Sequence, residues 1–250
     1  MRRVKKMVWK TALAIGMLMA PCAAFAEEGV QIIGEAQDGI SDESLMMAFS
    51  FEENYENAAD DTQGINFGRR TFGEGVKGSA VYLNGNGDYI IVGKECNLPG
   101  DFTFNVWLNT DEENKERSDA GILAKYETDY YGPYDFYLNY NHPSFWVSDG
   151  NGGHEEYQTI TELEAGQWYM LTYTYQAEYS KLSIYINGEY DTSFQSIPIT
   201  ENEDTVTIGR QYLEGDREKV QYQGWLDELA LYGRAFSEEE VKELYDSYGK

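Results

Sequence analysis

Cysteine and histidine are scarce in this chain. Its 250 residues include two cysteines and two histidines. Cys22 lies in an N-terminal segment that we expect to be removed, so Cys96 remains alone and an intramolecular disulfide is excluded. Cys96 is predicted to be a small buried apolar side chain. His142 and His154, without an HExxH motif, do not predict a zinc site.

Positive charge is also scarce. The chain has 19 Lys and Arg against 44 Asp and Glu, which gives a net charge of −25. Such a field repels nucleic acid, anionic membranes and sulfated or uronic glycans, and it favours cations and neutral partners. We therefore expect no nucleic-acid partner.

The first 26 residues have the three parts of an export signal. Five Lys and Arg stand among the first ten residues, an apolar run covers residues 8–20, and Ala24-Phe25-Ala26 forms a cleavage site. A lipoprotein would need a small residue before Cys22, where Pro21 stands instead. The pattern predicts a protein secreted to the cell surface or beyond, with its mature chain starting near Glu27. No later apolar run reaches membrane length, so no membrane insertion is expected.

The mature chain is predicted to be all-β. Residues 27–43 are polar and indicate a flexible leader or an added edge strand, and residues 44–250 form one domain of a size common among sandwiches. Short β-branched and aromatic runs, separated by Gly, Asn, Asp or Pro, favour a two-sheet antiparallel jelly-roll sandwich. The predicted strands are 45–51, 79–85, 89–93, 102–109, 121–126, 134–140, 144–148, 168–176, 181–188, 205–209 and 224–232.

The C-terminal segment predicts a strand followed by the short C-terminal α-helix. From residue 224 to 232, strict alternation places Trp225, Asp227, Leu229 and Leu231 on one face of the strand. Ser237 and Glu240 have the spacing of a capping box at the helix start. An apolar stripe on the helix predicts that it seals one side of the sandwich and covers a sheet edge. The stripe consists of Val241, Leu244, Tyr245 and Tyr248.

The segment GWLDELALYGRAFSEEEVKELY, residues 224–245, resembles the end of the bacterial laminin-G-like, concanavalin A-like jelly-roll domains. Upstream segments follow in the order expected for that family: MAFSFEEN, GVKGSAVYLNGNGDYIIVG, FTFNVWLN, GQWYMLTYTYQ with KLSIYINGE, and TIGR. The resemblance covers about residues 45–250. It implies the fold but not one function, since the superfamily includes lectins, adhesive modules and glucan hydrolases.

The resemblance also implies a structural Ca²⁺ between the first and last strands. Glu52 and Asp227 fall on the positions of its side-chain ligands, with backbone oxygens near Gly75 and Gly78 completing the shell. Calcium accepts such a mixed set of oxygens. In the alternative, Asp227 accepts hydrogen bonds from turn amides or pairs with Arg234.

No catalytic residues are predicted. EGDRE at 214–218 has the carboxylate spacing of related glucan hydrolases, but Gly215 and Arg217 replace the apolar residues expected between the carboxylates. ETDYYG at 127–132 lacks the second glutamate. A divergent glycoside hydrolase remains the less favoured reading.

Residues 125–157 are rich in Tyr, Trp, Asn, Asp and Gly and predict a carbohydrate-binding surface. Aromatic rings stack on the C–H face of a neutral sugar while amides and carboxylates bind its hydroxyl groups. The candidate contacts are Tyr130, Tyr131, Tyr134, Trp146, Asp149 and Asn151. In the alternatives, these aromatic residues belong to the core, or the face binds an extracellular protein. Trp107 and Trp168 are predicted to be core residues.

Overall fold

The computed structural model describes residues 42–250 except residues 61, 95, 99, 126–131 and 212–220. This part of the chain forms strands, two short 3₁₀ helices at Glu112–Glu116 and Ala177–Tyr179, and one α-helix, α1, at Glu238–Ser247. The strands are β1 Leu45–Phe49, β2 Glu56–Asn57, β3 Thr62–Gln63, β4 Ile65–Phe67, β5 Thr71–Glu74, β6 Ser79–Asn84, β7 Tyr89–Gly93, β8 Phe102–Thr110, β9 Ala120–Lys125, β10 Tyr134–Asn139, β11 His142–Ser148, β12 His154–Gln158, β13 Trp168–Gln176, β14 Lys181–Ile186, β15 Glu189–Gln195, β16 Val206–Ile208 and β17 Gln223–Tyr232.

Two antiparallel sheets contain nearly all of these strands. One sheet has eight strands in the order β15-β14-β13-β8-β17-β6-β5, with β1 also paired to β17, and the other has seven in the order β12-β11-β10-β9-β16-β7-β4. The predicted all-β two-sheet sandwich is confirmed. Because β1 lies beside β17, the two ends of the described chain meet in one sheet.

The core between the sheets is strongly aromatic. Strand alternation places Phe136 at its centre, where the ring lies 4.3 Å from that of Phe104 and 4.8 Å from that of Phe145, centroid to centroid. Cys96 is buried in this cluster, as predicted. Trp107 is buried in a second cluster and Trp168 packs against that cluster, which agrees with their predicted structural role.

A bulge interrupts the alternation of β17. The pairing with β8 shifts between Asp227 and Ala230, and Glu228 adopts a φ of 45°. Such an extra residue reverses the faces of all residues that follow it. Leu229 therefore faces the core while Asp227 lies on the outer face, so the prediction that they share one face is wrong.

Helix α1 packs on the outer face of the eight-stranded sheet. Ser237 accepts from the Glu240 amide and the Glu240 side chain accepts from the Ser237 amide, so the predicted capping box is confirmed. Val241 and Leu244 pack into the cluster around Trp107. The helix thus seals one side of the sandwich. Its apolar partners project from the central strands of that sheet, and the helix also contacts the edge strand β15.

The strands that the sequence did not predict are short or polar. β12 reads HEEYQ, and only Tyr157 within it is buried. A charged edge strand of this kind lacks the apolar alternation on which prediction depends. The proposed signal peptide and most of the leader lie outside the described residues. Among the residues described, the helices lack the length and apolar character needed to cross a bilayer.

Candidate functional site

The outer face of the seven-stranded sheet carries polar and aromatic side chains. Along one row, Trp146 on β11 stands opposite Glu156 on β12 and Asp135 on β10. The row continues through Ala124 and Thr207 to Ile91 and Ile65. Since directly paired residues share a face, all these side chains point away from the core.

Trp146 lies at one end of this face. Its ring is half-buried and is stacked with the exposed His154 ring, with centroids 5.8 Å apart and planes at 21°. The adjoining loop is shaped by Asp149, whose Oδ1 accepts from the amides of Asn151 at 2.8 Å and Gly153 at 2.9 Å. Asn151 is exposed at the tip. The structure thus brings three of the predicted carbohydrate contacts, Trp146, Asp149 and Asn151, to one end of the sheet.

A buried polar pair occupies the middle of the face. Gln211 Nε2 donates to Asp135 Oδ2 at 2.6 Å, while Asp135 Oδ1 and Gln211 Oε1 have no hydrogen-bond partner among the described residues. A Cβ on Gly121 would lie only 2.6 Å from the backbone nitrogen of Gln211, so a glycine is needed where the two segments approach so closely. Burial raises the pKa of the Asp135 carboxyl well above its usual range. A proton on Oδ1 converts that atom from an acceptor into a donor.

We expect Asp135→Asn to become progressively more stable than the wild type as pH rises. With a raised folded-state pKa, the Asp135 proton stabilises the wild type fully below the unfolded-state pKa of about 4, and this contribution is lost as pH rises toward the folded-state pKa. The unfolding free energy of the wild type falls, relative to that of Asp135→Asn, by at most about 1.4 kcal/mol per pH unit. Urea unfolding of both proteins at several pH values measures it, with exposed Asp246→Asn as control. A constant difference between Asp135→Asn and the wild type would contradict the assignment.

A second aromatic group lies at the opposite end of the face. Phe67 on the edge strand β4 stacks on Tyr89 of β7, with centroids 4.8 Å apart and planes at 1°. The Arg210 guanidinium lies 5.1 Å from the centre of the Tyr89 ring. Phe67 is 40% and the neighbouring Ile65 60% exposed. The sequence analysis missed this group because β4, between Gly64 and Gly68, is too short to show a strand pattern.

Tyr134 is a correction to the predicted carbohydrate contacts. Its side chain is fully buried in the core, and its hydroxyl donates to the Cys96 carbonyl oxygen at 2.7 Å. A ring enclosed in this way cannot stack on a ligand. Its inward direction follows from the pairing of β10 with β9 and β11, which sequence alone does not give. Tyr130 and Tyr131 lie outside the described residues, as do EGDRE and most of ETDYYG.

The predicted metal ligands meet at one turn. Asp227 Oδ2 accepts from the amides of Val76 at 2.7 Å and Lys77 at 3.1 Å, and its Oδ1 accepts from Glu228 N at 2.8 Å. Glu52 accepts from Ser79 N at 3.1 Å. The structure therefore brings Glu52 and Asp227 to the turn between β5 and β6. These contacts match the alternative in which Asp227 accepts turn amides, and the calcium ion stays a prediction.

The charge at this turn suits a cation. Desolvation raises the pKa of Asp227 to about 7 despite its three amide partners, and desolvation also raises that of Glu228. The oxygen chemistry fits calcium, although the Gly78 carbonyl oxygen already accepts from Gly75 N at 3.0 Å. Within the described ranges, no group of three or more Asp, Glu, His or Cys side chains is arranged to hold a metal.

A cavity of about 260 Å³ adjoins this turn on the outer face of the eight-stranded sheet. Ala48, Ala58 and Ala230 contribute small side chains to its lining, and Glu52, Glu228 and Lys77 contribute charged ones. The Tyr248 hydroxyl donates to Glu228 Oε2 at 3.1 Å beside it. The cavity thus combines an apolar lining with charged groups beside the predicted calcium position.

The sequence match agrees with this architecture. A family model described as the concanavalin A-like lectin/glucanases superfamily, of the laminin-G type, matches residues 84–242, which is more than half of the chain. The chain belongs to the concanavalin A-like lectin/glucanase superfamily. The predicted resemblance is thereby confirmed. No curated protein matches this superfamily member significantly in sequence.

Solved structures share the fold of this concanavalin A-like chain. The binding domain of Paraclostridial Mosquitocidal Protein 1 is 22% identical with a TM-score of 0.67, over 82% of this chain and 52% of that one. Domain 4 of AbnA, a GH43 extracellular arabinanase from Geobacillus stearothermophilus solved with arabinotriose, is 17% identical with a TM-score of 0.65, over 81% and 98%. The binding domain of botulinum neurotoxin serotype D is 13% identical with a TM-score of 0.64, over 82% and 52%. The chain spans about half the length of the two toxin domains.

Proposed function

We propose that this chain is an exported, non-catalytic module that binds a neutral carbohydrate on the outer face of the seven-stranded sheet. One observation carries the proposal: Trp146 lies outside the core on this face, with its ring against His154 and polar side chains beside it. An indole ring at a surface provides a large apolar plane for the C–H face of a sugar. Glu156, Asp149 and Asn151 supply acceptors and donors for its hydroxyl groups.

The chain's charge and its structural relatives support the same proposal. A net charge of −25 disfavours anionic glycans and leaves neutral ones. The AbnA domain was solved in complex with arabinotriose, and the two toxin neighbours are called binding domains. Export by the signal predicted at residues 1–26 would bring the module to polysaccharides or surface glycans, in agreement with this proposal.

Glycan binding by the mature chain tests the function, and Trp146→Ala tests the site. We expect a neutral glycan to be retained without release of new reducing ends, and Trp146→Ala to weaken retention at least about tenfold, or about 1.4 kcal/mol. Tyr190→Ala, which removes an aromatic ring that is 49% exposed on the other sheet, is the matched control and should bind normally.

Each other outcome overturns one part of the proposal. Unchanged binding by Trp146→Ala, at an unchanged melting temperature, would show that the site is elsewhere. Failure to retain any neutral glycan, together with saturable binding to an extracellular protein, would assign the module to adhesion. Turnover of the glycan would make the protein a hydrolase.

We further propose that a structural Ca²⁺ binds at the turn that joins Glu52 and Asp227. The support is electrostatic, because a buried carboxylate is stable when it is paired or bound to a cation and Glu228 adds a second negative charge beside Asp227. Glu52, Asp227 and nearby backbone carbonyls would hold the ion, which would supply positive charge there. A ligand that binds only the folded state raises the melting temperature, so chelation should lower it.

A further inference from the structure

The Phe67–Tyr89 stack lies on the same face of the same sheet as Trp146. Ile65 and Phe67 of β4 pair with Ile91 and Tyr89 of β7, and the rows continue through β16, β9 and β10 to β11. Strand β7 is four strands from β11. At about 4.8 Å per strand, the two aromatic groups are about 19 Å apart.

The Phe67 end of the face has the composition of a sugar platform. Phe67 stacks face to face on Tyr89, so the plane available to a sugar is the outer face of the Phe67 ring, which is 40% exposed. Ile65, which is 60% exposed, lies beside it on the same face of the sheet. The Arg210 guanidinium packs over the Tyr89 ring, 5.1 Å from the ring centre. An exposed aromatic plane beside an aliphatic side chain suits the apolar C–H face of a sugar.

We propose that the Phe67–Tyr89 stack is a second carbohydrate subsite and that the module recognises the interior of a neutral polysaccharide chain. This inference rests on the proposed function at Trp146. The separation of about 19 Å between the two groups exceeds the length of a disaccharide, so one ligand reaches both only as a longer chain. A neutral polymer also avoids repulsion from a protein of net charge −25.

Two linked subsites predict a specific dependence on ligand length. Once one end of a chain is bound, the other end is held at a high local concentration near the second subsite, so the affinity rises above that of either subsite alone. Short oligosaccharides occupy only one subsite. The wild-type affinity should therefore rise at least tenfold between a disaccharide and a hexasaccharide of the bound glycan.

The test compares Phe67→Ala with Trp146→Ala across such an oligosaccharide series, measured by calorimetry. Phe67→Ala should weaken hexasaccharide binding at least tenfold and so remove most of the gain in affinity with ligand length, whereas Trp146→Ala should weaken the binding of both lengths. Tyr190→Ala is the control and should change neither. Ile65→Ser, at a residue that is 60% exposed, is a second variant that should reduce hexasaccharide affinity if Phe67→Ala fails to fold.

The outcomes separate the second subsite from the proposed function. If the wild type binds both lengths equally, and Phe67→Ala and Ile65→Ser change neither while Trp146→Ala still loses binding, the second subsite is wrong and the function stands. If no carbohydrate binds, both are wrong. If sedimentation shows a wild-type dimer that Phe67→Ala dissociates, with unchanged hexasaccharide affinity, the surface belongs to a second copy of the chain.

Discussion

Phe136→Ala is expected to lose about 4 kcal/mol of unfolding free energy, typical of a fully buried phenylalanine. Its ring contacts those of Phe102, Phe104, Tyr134, Phe145 and Tyr173 between the two sheets. Removing the ring leaves a cavity that the rigid neighbouring rings fill poorly, so the free energy lost from apolar burial adds to the free energy lost from packing contacts. Urea unfolding followed by tryptophan fluorescence measures the change.

Phe67→Ala is the matched control for this substitution. The same atoms are removed from a ring that is 40% exposed at the edge of the seven-stranded sheet, so the expected loss is less than about 1 kcal/mol. Equal losses at the two positions would contradict the placement of Phe136 at the centre of the sandwich. A small loss at Phe67 also leaves that variant folded for the binding experiments.

Asp227→Ala is expected to lose about 2 kcal/mol of unfolding free energy in the presence of a chelator. Its buried carboxylate accepts from the amides of Val76, Lys77 and Glu228, and each of these partly buried amides costs about 1 kcal/mol when it is left without its acceptor. Removing a poorly solvated carboxylate, with a pKa of about 7, offsets part of this loss. The free-energy cost of three amides without their acceptor exceeds the gain from removing one poorly solvated carboxylate.

Asp149→Ala is the control for Asp227→Ala. Asp149 also accepts from backbone amides, but those of Asn151 and Gly153 are in an exposed loop, where water replaces the carboxylate. We expect a loss below about 1 kcal/mol. Equal stability of Asp227→Ala and the wild type in chelator would show that the turn does not depend on this carboxylate.

Repeating the Asp227 measurement with calcium separates the two roles of the residue. A bound ion adds stability to the wild type and none to Asp227→Ala, so the difference between them should widen when chelator is replaced by calcium. An identical difference in both buffers would leave Asp227 as an acceptor of turn amides and remove the proposed ion. Thermal unfolding in both buffers provides the measurement.

Local patterns predicted the elements of this fold closely. The strands at 89–93 and 168–176 have the predicted bounds, and the Ser237–Glu240 capping box closes as its spacing indicated. These features depend on residues that are near one another along the chain. Local signals could not predict β4 or β12, because one is three residues long and the other is a polar edge strand.

The candidate sites were predicted less completely, for a tertiary reason. Tyr134 and Trp146 read alike in the sequence, yet their strands pair so that Tyr134 stands opposite Val147 in the core and Trp146 opposite Asp135 outside it. Phe67 and Tyr89 meet only because β4 pairs with β7. A ring's exposure depends on which strands flank it and on what covers the sheet.

The sequence by itself determined an acidic chain with β alternation, turn residues, a capped terminal helix and a terminal signature, and these were enough to establish the sandwich. Only the tertiary structure decided which way the decisive side chains point. The bulge at Glu228 put Asp227 and Leu229 on opposite faces of β17, and the strand order placed two aromatic groups at opposite ends of one sheet. Both depend on pairing between distant segments, whose energies no local window of the sequence contains.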